Sequence, residues 1–270
     1  MTRNQRPAPI DAIRLLGVRI DAFRLDGLLA AVREALADGR RLTVLYVNVH
    51  CMNVAADDRR YAAVLDAADI VYCDGTGVRL GARLAGMHLP ERMTGADWID
   101  DLCRMAARED LRLFLVGGEP GVAGAAAIRL KSRHPGLLVV GAESGYDAGP
   151  QVFRAICTAR PDILLVGMGT PAQELWIQDH RHELAIPVVW AVGALFDFVT
   201  DRIPRGPRLL TDNGLEWLCR FAAEPRKLWR RYLIGNPRFL WRIARQYWFS
   251  RPPRASRPRG SGQPRAGGTP

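Results

Sequence analysis

The chain has 270 residues, 48% of them hydrophobic, and a net charge of +10. That is enough apolar content for one large domain with an appendage. Its five cysteines (Cys51, Cys73, Cys103, Cys157, Cys219) are widely spaced, odd in number and form no CxxC pair, which argues against a zinc site or a disulfide framework and for reduced thiols in a cytosolic protein. No apolar run nears the roughly 18 residues of a membrane-spanning helix. The opening MTRNQRPAPIDAIR lacks the apolar core of a signal peptide, so any meeting with a membrane is expected at its surface.

The charge is unevenly placed. From Arg202 onward there are 16 Lys and Arg against three acids, which leaves 22 against 25 in the rest. A slightly acidic body with a strongly basic end expects an anionic partner at the C-terminus, either nucleic acid or a membrane surface.

Taken in chain order, residues 23–39 (FRLDGLLAAVREALADG) place apolar residues at helical spacing and end on glycine. LTVLYVNV (42–49) and ADIVYCD (68–74) are nearly continuous apolar runs, as strands buried on both faces should be. A helix pattern over 95–110 precedes the run LRLFLVGG (111–118), and another over 121–136 precedes LLVVGA (137–142). DILLVGMG (162–169), a helix over 171–184 and VVWAVGALF (188–196) follow. Alternating strands and helices predict an α/β fold, a Rossmann-like parallel sheet with helices on both faces.

Ligands of such sheets bind at the carboxyl ends of the strands. There the chain carries Asn48, CDGTG (73–77), GGEPG (117–121), GMGTPAQE (167–174) and GALFD (193–197). Glycines such as Gly75, Gly117, Gly118 and Gly169 let backbone N–H groups approach a phosphate, although strand-to-helix turns also use glycine on steric grounds alone. None of these loops is a Walker A motif or a well-spaced GxGxxG. Asp74, between an apolar strand and two glycines, is a candidate general base or a turn residue capping the next helix. Arg92 in PERMTGADW can bind a phosphate through two hydrogen bonds or form a surface ion pair. Gln173 can bind a sugar or phosphate, or cap its helix.

The basic end has its own pattern. A helix from Gly214 stops before Pro225. A second, with Pro225 in its first turn, is predicted to end at Gly235. Asn236 is predicted to cap a third helix, with Pro237 at its first position. On that helix Leu240, Ile243, Ala244 and Tyr247 share one stripe and Arg238, Arg242 and Arg245 another. This is the pattern of a basic amphipathic helix at an interface, or of one covering the protein's own core. The composition from Ser250 onward is that of a disordered tail.

Seven blocks carry a resemblance: DGTGV (74–78), ERMTGADW (91–98), LVGGEPGVA (115–123), GMGTPAQELW (167–176), VGALFDFVTDRIPRGP (192–207), GLEWLCRF (214–221) and EPRKLWRRYLIGNPRFL (224–240). In this order they resemble the bacterial WecG/TagA/CpsF family, which includes teichoic-acid N-acetylmannosaminyltransferases, enterobacterial common antigen transferases and GumM-like exopolysaccharide glucosyltransferases. The likeness spans roughly residues 15–245.

The resemblance implies an inverting enzyme that moves a sugar from a UDP-sugar to a lipid-diphosphate-linked sugar, peripherally, on the cytoplasmic face of the inner membrane. It implies Asp74 as base, Arg92 and Gln173 in the active site, and Asn48 at a sugar-pocket position. Tyr46 stands where many members have threonine. It assigns residues 1–200 to the catalytic core, 201–249 to a membrane-docking appendage and 250–270 to the tail. Arg220, Arg226, Arg230 and Arg231 become candidate lipid-diphosphate contacts.

No cofactor is expected. No metal is expected either, because no DxD-type acidic pair lies beside a strand end and WIDD falls within a helix. Apolar residues interleaved with arginines favour a bilayer over the rival class, a nucleic-acid binder with a Rossmann-like core and basic arm. The absence of a dinucleotide fingerprint counts against a nicotinamide-dependent oxidoreductase.

Overall fold

The protein was analysed as a computed structural model, which describes residues 11–146, 149–203, 206 and 216–249. All six predicted strands form and pair in parallel. The chain opens with a hairpin, β1 (Ala12–Leu15) and β2 (Val18–Asp21), followed by helix α1 (Leu25–Ala37). Strand β3 (Leu42–Val47) leads through α2 (Val49–Asp57) and α3 (Arg59–Ala67) to β4 (Ile70–Cys73). Helices α4 (Thr76–Leu84) and α5 (Gly95–Arg108) precede β5 (Arg112–Gly117), and α6 (Val122–Arg133) precedes β6 (Leu138–Glu143). Then come α7 (Pro150–Ala159), β7 (Ile163–Gly167), α8 (Ala172–His180), β8 (Val188–Ala191) and α9 (Leu195–Val199).

The sheet order is β4-β3-β8-β7-β5-β6. The chain runs outward from β3 to β4, crosses to β5 and β6, and returns to fill the middle with β7 and β8. The crossovers β3 to β4 and β7 to β8 run one way along the sheet and β5 to β6 the other, so the winding reverses between β7 and β5, where a crevice opens in such sheets. Every residue of β4, β7 and β8 is buried, as helical cover on both faces requires. Acids just ahead of two strands satisfy amides of their neighbours. Asp69 accepts from Thr43 N at 2.7 Å, and Asp162 accepts from Arg112 N at 2.7 Å.

Two expectations change at the boundaries. The run 188–196 is strand only to Ala191, because Gly193 takes a left-handed φ of +58° and turns the chain into α9. The helix expected over 171–184 ends at His180. The hairpin had no counterpart in the expected elements. Its Asp21 carboxylate accepts from Val71 N at 2.7 Å on β4, and its Arg19 donates to Ala68 O at 2.6 Å. The outer edge of β4 is thereby covered.

The basic end forms α10 (Glu216–Ala223), α11 (Pro225–Trp229), a π-helical turn (Arg230–Ile234), α12 (Gly235–Ala244) and a second π-helical turn (Arg245–Phe249). Pro225 opens α11 as expected. Gly235 does not end a helix and Asn236 does not cap one. Gly235 is right-handed helical, and the chain runs through it into α12. Its lack of a side chain serves packing instead, since its carbonyl accepts from Asn53 Nδ2 on α2 at 2.7 Å. The tail from Ser250 onward, and the predicted helix start at Gly214, lie outside the described residues.

Helix α12 lies on the core. Phe239 and Ile243 are both 1% exposed, and a Cβ on Gly81 of α4 would stand 2.5 Å from the Phe239 ring. Leu240 faces outward rather than sharing the buried stripe with Ile243, and Trp241 is exposed beside it. Arg242 and Arg238 turn to α2 and pair with Asp57 at 2.5 and 3.0 Å. Arg242 also donates to Asn53 Oδ1 at 2.9 Å. The apolar burial dominates, because the Arg238 pair is half-exposed and ion pairs of that kind contribute about 0–1 kcal/mol.

Removing the Phe239 ring should therefore release the appendage. Phe239→Ala is expected to weaken docking by about 3 kcal/mol. Trypsin should then cut at Arg230 and Arg231 on the order of 100-fold faster, while the sheet keeps its protection.

Candidate active site

The carboxyl ends of all six strands open into one cleft of about 1540 Å³, more than the roughly 300–1,000 Å³ usual for a single small ligand. Asn48 and Asp74 stand at the ends of β3 and β4. The turn at Gly193 follows β8, and Met168–Thr170 follows β7. Gly118 and Tyr146 stand beyond β5 and β6. The appendage closes the far side with Trp217, Arg220, Arg230, Arg231 and Tyr232.

Asp74 is anchored through its own amide, which donates to Val47 O at 2.9 Å. Its carboxylate accepts from Asn48 Nδ2 at 3.4 Å. The other end of that amide caps α2, with Asn48 Oδ1 accepting from His50 N at 3.0 Å and Cys51 N at 3.2 Å. Capping thus fixes which end of the Asn48 amide faces Asp74. Gly75 holds a φ of +99°, and a Cβ on Gly77 would meet Val49 at 2.5 Å. The starts of α2 and α4 therefore meet beside Asp74.

Arg92 lines the same cleft. Its guanidinium reaches the Asp97 carboxylate at 3.4 Å. That carboxylate also accepts from Thr94 N at 3.0 Å and Thr94 Oγ1 at 2.7 Å, which ties the arginine's loop to the start of α5.

The glycine loops divide. Gly169 lines the cleft with a φ of +79°. Gly118 also lines it, but its N–H is engaged by Gly167 O at 2.9 Å and does not point at a ligand. Gly117 is a register partner of Gly167, and a Cβ there would sit 2.3 Å from Gly167 O. It permits strand approach and is not part of the cleft lining.

Gln173 is fully buried and does not line the cleft. Its Nε2 donates to Tyr46 OH at 3.2 Å and its Oε1 accepts from Gly193 N at 2.9 Å. These bonds make Gln173 a support of the cleft floor. Tyr46 forms part of that floor, and burial pushes its phenol pKa up, so it stays neutral. Tyr46, Tyr72, Trp190 and Trp98 continue below as a chain of packed rings, the two indoles stacked at 4.2 Å.

Of the four predicted lipid-diphosphate arginines, Arg220, Arg230 and Arg231 line the cleft, whereas Arg226 is exposed outside it. The Arg220 guanidinium lies 5.6 Å from the centre of the Phe198 ring. Two lining residues had not been singled out. Arg202 donates to Glu119 at 2.5 Å, and its place in TDRIP beside a strand-end block was the available signal. His50 stands two residues after Asn48, and burial, then Arg231, lower its pKa, so it is neutral. No group of three His, Cys, Asp or Glu side chains placed to share an ion occurs among the described residues.

Asn48→Ala should lose the α2 cap at a cost of about 1 kcal/mol, readable in a denaturant titration. Asn48→Asp restores a capping oxygen and should recover most of that loss, while setting a second carboxylate against Asp74.

The model of the Glycosyl transferase WecG/TagA/CpsF family matches residues 13–253. An N-acetylglucosaminyldiphosphoundecaprenol N-acetyl-beta-D-mannosaminyltransferase of Bacillus spizizenii is 31% identical over 187 residues, covering 69% of this chain and 72% of that protein. A protein of the same name from Bacillus subtilis is 30% identical over 201 residues, covering 74% and 78%. With most of its length matched, and with one cleft gathering the ends of all six parallel strands, the chain belongs to the WecG/TagA/CpsF family of glycosyltransferases.

Proposed function

We propose that the protein transfers a hexose or N-acetylhexosamine-type sugar from a UDP-sugar to a polyprenyl-diphosphate-linked sugar, with inversion, in the synthesis of a cell-surface or exopolysaccharide. The observation that carries the reading is Asp74, held by Asn48 in a cleft with glycine loops along one side and arginines of the basic appendage across the other. The relatives' printed names supply the substrate chemistry, a sugar moved to a diphosphoundecaprenol-linked sugar.

In this mechanism Asp74 takes the proton of the acceptor hydroxyl. The hydroxyl oxygen bonds to the anomeric carbon from the face opposite UDP. The bond from that carbon to the diphosphate oxygen breaks, and UDP leaves with the electron pair. A single displacement inverts the anomeric centre. Charge on the departing diphosphate is met by Arg92 and the Gly169 loop, because the Gly118 amide is engaged elsewhere. Arg220, Arg230 and Arg231 receive the diphosphate of the lipid acceptor.

The appendage also supplies the docking surface. Trp229, Leu233, Ile234, Leu240 and Trp241 are exposed large apolar residues, with Arg226 and Arg230 exposed among them. No helix among the described residues is long and apolar enough to cross a membrane. The protein works peripherally, at the cytoplasmic face of the inner membrane, by inserting these side chains at the headgroup level.

Replacing Asp74 with asparagine keeps the shape and removes the base. Turnover should fall by about 10²- to 10⁴-fold, with UDP binding close to that of the wild type in a titration. Normal turnover by Asp74→Asn would overturn the mechanism.

Changing Arg226, Arg230 and Arg231 together to glutamine spares the apolar side chains. Each basic residue near an anionic surface contributes about 1 kcal/mol. Co-sedimentation with phosphatidylglycerol vesicles should therefore weaken on the order of 100-fold, with a shallower dependence on salt. Unchanged vesicle binding, with loss of a DNA mobility shift instead, would move the partner to nucleic acid.

A further inference from the structure

Under the cleft floor lies a polar cluster that the transfer chemistry does not use. Glu174, Gln173, Tyr61 and Cys51 are each 0% exposed. Glu174 Oε1 accepts from Thr170 Oγ1 at 2.9 Å and from Gln173 Nε2 at 2.9 Å. Thr170 is itself part of the cleft rim after β7. Gln173 carries the connection further, to Tyr46 OH and to the amide of the Gly193 turn. Cys51 Sγ lies 3.6 Å from Thr170 Oγ1. One carboxyl group therefore ties together the ends of β3, β7 and β8 from below.

The second oxygen of that carboxyl is the unusual feature. Glu174 Oε2 is buried with no hydrogen-bond partner among the described residues, and so is the Tyr61 hydroxyl. An ionised carboxylate would leave a charged oxygen unsolvated there, which burial strongly disfavours. A neutral acid has only an O–H to place on Oε2.

The titratable groups around it come from three elements: Tyr46 on β3, Cys51 on α2 and Tyr61 on α3. All three are acids that burial keeps neutral. Asp74, above Tyr46, adds negative charge to the neighbourhood. Burial raises the Glu174 pKa, and the influences opposing it are hydrogen bonds rather than a cation.

We propose that Glu174 is a positioning residue for sugar transfer, held as a neutral acid, which fixes the Gly169–Thr170 rim directly and the Gly193 turn and Tyr46 through Gln173. The role in transfer rests on the reading above; the protonation state does not.

The test compares the full-length protein with Glu174→Gln and Glu174→Ala. The glutamine is the uncharged isostere. It should keep turnover within about threefold and leave hydrogen exchange over residues 168–175 unchanged. The alanine leaves Thr170 and Gln173 without their acceptor. It should lose about 10- to 100-fold in kcat, the scale on which small misplacements act, with KM for the UDP-sugar moving much less, and should speed exchange over the same residues.

Thermal unfolding from about pH 5 to about pH 8.5 reads the proton itself. A carboxyl whose folded pKa is raised keeps its proton where the unfolded chain has released it. Stability is then full below the unfolded value and declines as pH rises toward the folded one. The Tm of the wild type should accordingly fall relative to Glu174→Gln as pH rises.

Equal losses by the glutamine and alanine variants, or a Tm difference independent of pH, overturn the neutral acid. Wild-type turnover by the alanine variant overturns the positioning role. A wild type that transfers no sugar to any lipid-linked acceptor overturns the transferase reading instead, and the exchange and unfolding data still decide the state and grip of Glu174.

Discussion

One amide faces two ways, and the cleft depends on it. Asn48 gives its oxygen to the first turn of α2 and its nitrogen to Asp74. Neither end can be reversed without losing the other bond, so the orientation of the acid is set by the same contact that starts the helix. Around this pair the parallel sheet supplies what its topology dictates: strand ends on one side, winding that reverses between β7 and β5, and loops that approach closely because glycine allows it.

The core and the appendage meet over α2 and α4. On α4 the contact is steric, with Phe239 seated where Gly81 has no side chain. On α2 it is polar, with Asn53 and Asp57 bonded to Gly235, Arg238 and Arg242. The appendage thus divides its residues by role. Two of its arginines hold it to the body, others line the cleft, and its Trp, Leu and Ile side chains at 229, 233, 234, 240 and 241 face outward.

Five of the six strands were legible because burial on both faces leaves a continuous apolar signature, and β6, part-exposed at the sheet edge, showed the same short apolar run. Asp74 and Asn48 were legible as polar residues at strand ends and Arg92 as an arginine in a loop leading to a helix, and the three share one cleft. The hairpin was not legible, since it joins two four-residue strands through Leu16 and Gly17, without the Asn-Gly or Asp-Gly signal of a tight turn. How Gln173 and Gly118 bond was not legible, for one reason. Spacing places a residue at a strand end, but whether its polar atoms face the ligand or the neighbouring strand depends on residues far away in sequence, here Tyr46, Gly193 and Gly167. Gly235 was misread in the same way, its partner Asn53 lying on α2.

The position of α2 has a mechanical consequence. The helix is a rod of nine residues, about 13 Å long at a rise of about 1.5 Å per residue. The appendage grips it at Asn53 and Asp57, and Asn48 caps the opposite end. If the rod pivots at Asp57, a tilt of about 5° carries Asn48 through about 1 Å, a displacement on the scale that separates a reactive arrangement from an unreactive one. A force that shifts α12 against the body therefore acts on the acid through a lever, with α2 as its arm.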